Sequence, residues 1–225
     1  MVAQDATLFQ DLLRLQTAIA TQVVLDDLPG DFASIGAVAQ SFSNDVFSPP
    51  SAIIVDALMN IIDESIAIAR ITMPYIARLL FFREGPVAIA ALKKLRTKPD
   101  VLIVHGCGIN HPRFAGFASH LGVVLNIPTI GVPKTTLCGE YVAPYKAYSY
   151  VPLKFKSLQL GFVLTTMIGT KPIFVSPGHR ISLKCALRVV QRCVTNHRLP
   201  EPLRLAHIKA RQAKVKGLGV NQHSF

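Results

Sequence analysis

The sequence predicts an α/β fold, with a mixed central sheet flanked by helices. Three observations carry that expectation. Residues 34–71 read as three strands joined by short, turn-rich connections, an antiparallel meander. Beyond Met73 the pattern changes to strand–helix alternation. Val101–Val104 is an uninterrupted apolar run of the kind found in strands covered on both faces. Half of the 225 residues are hydrophobic, enough for a substantial core in one domain.

Taken in order, residues 4–24 place Leu8, Leu12, Leu13, Leu15, Ile19 and Val23 or Val24 at helical spacing. Pro29-Gly30-Asp31 breaks that helix. Strands are expected over Ser34–Phe42, Ala52–Leu58 and Ile61–Ile71. Met73-Pro74-Tyr75-Ile76 reads as a loop, because the residue before a proline avoids helical backbone. Phe82-Arg83-Glu84-Gly85-Pro86 leads into a helix ending near Lys98-Pro99. After the strand at Val101–Val104, His111-Pro112-Arg113 opens a helix, and Ile127–Val132 forms a further apolar strand. Pro133-Lys134 enters a loop containing Leu137-Cys138-Gly139, residues 145–176 read as more strands, and Gly178-His179-Arg180 precedes a helix reaching about Asn196. A single domain is expected over 1–208, N-terminal helix included, followed by a basic and partly disordered tail at 209–225.

Composition narrows the function. Asp56, Asp63 and Glu64 interrupt the richest apolar stretch, so no segment suits a membrane span. A basic-then-apolar leader is absent from the N-terminal residues, and a cytoplasmic monomer is expected. Cys107, Cys138, Cys185 and Cys193 form no CxxC pair and read as free thiols. Charge is divided along the chain. Residues 1–69 carry a net −8, with Arg14 their only base, whereas residues 70–225 carry +19, together the overall +11. So basic a region favours a polyanionic partner, nucleic acid first, over a merely solvated surface.

Chemistry-bearing residues concentrate in VLIVHGCGINHPRFAGFASHLG, residues 101–122. The strand ends at His105 and a glycine-rich turn follows, the place in α/β proteins where a ligand can approach the backbone. From these residues alone, a functional site and an ordinary strand-to-helix connection are equally admissible.

The set MPYI, FREGP, HGCGINHPRFAGFASHLG, PTIGVPK, LCG, VSPGHRIS and RLPEP, in this order and spacing, resembles endonuclease V from about residue 34 to 208. The resemblance implies an RNase H-like fold. It also implies cleavage of DNA or RNA near deoxyinosine or inosine with Mg2+ or Mn2+, bound by two aspartates and a glutamate. On the matching positions, Glu84 retains the glutamate, Ala39 stands at the first aspartate and His105 at the second. Asp45 or Asp56 would have to replace an aspartate, and His105 suits softer metals better than magnesium.

The resemblance further implies Tyr75 as a wedge filling the gap left by a flipped base. Lys134, His111 and His179 would stand around the scissile phosphate. Leu80, Gly106, Gly116 and Leu137 would form a backbone-lined hypoxanthine pocket, with Arg113 and Lys134 tracking the strand. The expectation is thus a protein that binds inosine-containing or distorted DNA or RNA, with family-type metal hydrolysis in doubt. Two alternatives stay open: an active nuclease with a metal site rebuilt on Glu84 and His105, and a non-catalytic basic assembly module.

Overall fold

The structure, a computed structural model, describes residues 2–26, 32–40, 47–48, 50–67, 69–70, 73–144 and 146–220. Helix α1 (Val2–Ala20) leads into strand β1 (Ile35–Ala39). Short β2 (Phe47–Ser48), β3 (Ser51–Val55), β4 (Ile61–Ile66) and short β5 (Ala69–Arg70) follow. Then come α2 (Leu80–Leu92), β6 (Val101–Val104), α3 (Phe117–Leu125) and β7 (Thr129–Gly131). Strands β8 (Tyr150–Phe155), β9 (Leu158–Leu164) and β10 (Ile173–His179) precede α4 (Leu183–Arg192) and α5 (Glu201–Val220).

Eight strands form one sheet in the order β4-β3-β1-β6-β7-β10-β9-β8, while β2 and β5 pair separately. β1, β6 and β7 run parallel at its centre, and antiparallel strands extend both flanks. The expected mixed sheet and the opening meander are therefore present. One face packs Ile35, Ala37, Ile103 and Val175 against α4 and α5. The other packs Val38, Leu102 and Val104 against α2 and α3. The alternation follows from the two-residue period of a strand, and the central strands are apolar throughout because both faces are covered. Among the described residues no helix is long and apolar enough to cross a membrane. All four cysteines are free thiols.

Several boundaries differ from expectation. α2 begins at Leu80, six residues before Pro86, and ends at Leu92 rather than near Lys98. Pro86 is therefore inside the helix on an exposed face, not at its start. Residues 111–116 form a tight loop, with the Phe114 amide donating to the His111 carbonyl at 2.8 Å, so the helix opens at Phe117 and not at His111. The tail is corrected more substantially: 201–220 is one helix. Leu203, Ala206 and Ala210 are buried along one stripe of it, and Lys209 Nζ meets Glu64 Oε2 at 2.7 Å. Basic residues on the outer face concealed that stripe in the sequence.

Candidate nucleic-acid site

Parallel pairing sets Val38 beside Val104, so Ala39 and His105 emerge next to each other from one sheet edge. α2 brings Glu84 to the same point. All three line a cavity of about 30 Å³ with Val38, Gln40 and Phe117. The Gln40 side-chain amide donates to the Glu84 carbonyl at 3.2 Å and ties strand to helix. Burial pushes the Glu84 carboxyl up to about 8, and the adjacent Arg83 guanidinium only partly opposes it.

On the opposite face, His105 packs edge-on against His207 of α5, ring centroids 4.7 Å apart. Burial chiefly, then His207 and the Lys134 ammonium, lower the His105 imidazole to about 3. His207 is lowered to about 4 by burial, Lys134 and Arg211, and its Nε2 is buried with no hydrogen-bond partner in the structure. Both rings are neutral near pH 7.

His105 also forms a wall of a larger cavity of about 320 Å³, a size that suits a small ligand or a base. Tyr75, Leu80, Gly106, Gly116, Lys134 and Leu137 all line it. Tyr75 lies on the loop before α2 and is largely exposed at the rim. Gly116 lets two loop segments close up: a Cβ there would sit 2.3 Å from the Cys107 carbonyl oxygen. Its amide donates to the Gly108 carbonyl at 3.0 Å.

His111, expected at the scissile phosphate, and Arg113, expected to track the strand, are engaged inside the protein. The His111 Nδ1 accepts from the Arg113 amide at 3.2 Å, which leaves Nε2 as the protonated nitrogen, 3.1 Å from the Arg78 carbonyl. With both nitrogens occupied and its basicity lowered by burial to about 4, this ring braces a loop and has no nitrogen for a phosphate. Arg113 uses Nε on Gln16 Oε1 and Nη2 on the Arg78 carbonyl.

His179 does not join the site. β10 runs antiparallel to β7 and pairs His179 with Thr129, the first residue of β7, whereas Lys134 follows its last. Its Nδ1 instead accepts from the Val24 amide at 3.3 Å. Asp56 is also excluded. β3 pairs antiparallel to β1 with Val55 opposite Ile35, so Asp56 lies at the far edge. There its Oδ1 accepts from the Leu58 and Asn60 amides and closes a turn. Asp45 lies outside the described residues.

The sequence reading missed Gln16 and His207. Each is a polar residue on an apolar helical stripe, Gln16 between Leu12 and Ile19, His207 between Leu203 and Ala210. That interruption was the available signal.

The endonuclease V family model matches residues 17–208. The chain belongs to the endonuclease V family. Endonuclease V of Dictyoglomus thermophilum is 36% identical over 215 residues, 93% of either chain. Endonuclease V of Streptomyces avermitilis superposes with a TM-score of 0.86 at 31% identity, covering 93% of this chain and 94% of that one. The fold is also shared, at a TM-score of 0.80 and 24% identity, with endonuclease V of Ciona intestinalis, over 93% of this chain and 99% of that one. That structure holds a 24mer DNA containing an inosine followed by a ribo-adenosine. The RNase H-like fold expected from the motifs is the fold of these endonuclease V structures.

The residues at the edge of β1 and β6 do not fit the magnesium that endonuclease V chemistry implies. A hard divalent cation needs several oxygen ligands. Ala39 offers none, His105 and His207 offer nitrogen, and Glu84 is the one carboxyl among the described residues at this point. Among the described residues no group of three or more His, Cys, Asp or Glu is placed to hold a metal ion.

Proposed function

We propose that this member of the endonuclease V family recognises inosine-containing or distorted strands and lacks the family's hard-metal hydrolysis. One observation carries the reading. The base-sized cavity is lined by all four residues expected there, Leu80, Gly106, Gly116 and Leu137, while the adjoining point where β1, β6 and α2 meet presents Ala39 and His105 beside the single carboxyl of Glu84. The Ciona protein's inosine-containing ligand supports the class of partner. The basic charge beyond residue 69 suits the strand backbone.

In this reading a base turned out of the stack enters the 320 Å³ cavity, where Gly106 and Gly116 leave backbone within reach of its edge. Tyr75 at the rim stacks into the vacated gap. The Lys134 ammonium, exposed at the mouth, offsets phosphate charge.

Competition binding tests this. Labelled strands with one inosine, and matched strands with guanosine, are titrated in chelator at several salt concentrations. Preference for inosine that survives chelation is expected. Equal affinity for both, with a steep salt slope, would favour the basic assembly module instead. Tyr75→Ala should weaken inosine-strand binding about tenfold or more, the effect of losing one aromatic stacking partner. An unchanged Kd would remove Tyr75 from the interface.

A further inference from the structure

We infer that Gln16, on the N-terminal helix, is a positioning residue for base recognition, latching the segment that carries Tyr75 onto the loop that closes the base cavity. The inference rests on the reading of that cavity as a base pocket.

Gln16 is 2% exposed and borders the cavity. Its side-chain amide donates to two backbone carbonyls from different parts of the chain, Arg78 at 3.0 Å and Ala115 at 2.7 Å. Its Oε1 accepts from Arg113 Nε at 2.6 Å. One amide thus joins α1, the loop before α2, and the 111–116 loop next to Gly116. A buried polar group so fully satisfied rigidifies the elements it joins.

Arg78 shows why a latch is needed. It adopts φ of 69°, a left-handed conformation that a side-chain-bearing residue disfavours. Such backbone persists where its surroundings hold it. Three donors converge on the Arg78 carbonyl: Gln16 Nε2, His111 Nε2 at 3.1 Å and Arg113 Nη2 at 3.1 Å. Gln16 also holds Arg113, so two of the three depend on it. Tyr75 is three residues upstream and Leu80, at the cavity wall, two residues downstream.

Two variants separate the parts of the latch. Gln16→Leu keeps the volume and removes every hydrogen bond. Gln16→Glu keeps the acceptor for Arg113 and removes both donors. Three readouts are taken: thermal midpoint, amide hydrogen exchange of residues 75–79 in the free protein, and the inosine-to-guanosine affinity ratio. The Leu79 amide, bonded to the Ile76 carbonyl at 3.1 Å, is a reporter within the segment. In both variants, exchange at 75–79 should rise at least about tenfold and the affinity ratio should fall by a similar factor. A lowered midpoint with exchange and ratio unchanged would reduce Gln16 to ordinary packing and overturn the inference. Faster exchange with the ratio intact would overturn its role in recognition. Should Gln16→Leu fail to fold, Gln16→Glu decides alone. Absence of inosine preference in the unsubstituted protein would instead count against the base-pocket reading, while the exchange data still report on the latch.

Discussion

Ala39→Asp combined with His105→Asp is expected to give the chain Mg2+-dependent nicking of inosine-containing DNA, on the order of 100-fold above the parent or more. The two side chains leave parallel strands side by side, next to Glu84. Aspartate at both would supply the oxygen ligands that a hard cation requires. The substitution has a cost without metal. Ala39 is 1% exposed in the core cluster that includes Leu203 and Ala206 of α5, so a carboxylate there is desolvated and repelled by its neighbours. The double variant should therefore melt below the parent in chelator and regain stability as Mg2+ is added, since binding to the folded state alone stabilises it. A folded double variant with neither nicking nor a Mg2+-dependent rise in Tm would show that further parts of the site have drifted.

Glu84→Gln is expected to stabilise the protein at neutral pH by on the order of 2 kcal/mol. Burial raises the folded-state Glu84 carboxyl to about 8, from an ordinary value of 4.5. A group raised in this way contributes its stability fully below the ordinary value, and loses it as pH rises through the folded one. The parent should accordingly weaken between about pH 4.5 and 8, a slope that the neutral amide removes. The histidines act in the opposite sense. His105, His111 and His207 are held at about 3 to 4, so their share is present above about 6.5 and falls away in acid. Both proteins contain them, and they cancel in the difference. Melting curves should diverge with rising pH, by about 4–8 °C at pH 7 for a chain of this size. Parallel curves across that range would mean that Glu84 is solvated and available as a carboxylate.

Some of this site was legible in the sequence, and its limits have physical causes. Apolar runs such as Val101–Val104 identify buried strands, and the HGCG turn after one of them marks the edge where a ligand approaches. Ala39 and His105 fall at the expected aspartate positions only through the resemblance of the flanking motifs, and the structure brings both positions to Glu84. Strand direction was not legible. His179 sits in a glycine-flanked motif much like that of His105, but β10 runs antiparallel to β7 and delivers it to the opposite edge of the sheet. Nor was the bracing role of His111 and Arg113, which depends on Arg78 turning its carbonyl inward. Gln16 and His207 act through contacts 62 or more residues away in sequence, which local spacing cannot reveal.

Loss of hydrolysis with retention of recognition is open to one decisive measurement. Inosine-containing DNA and RNA are incubated with excess protein, first with Mg2+ and then with Mn2+, beside the Glu84→Ala variant. The expected result is no nicking above that of the variant, by a protein that still prefers inosine in chelator. Metal-dependent cleavage that Glu84→Ala abolishes would contradict it.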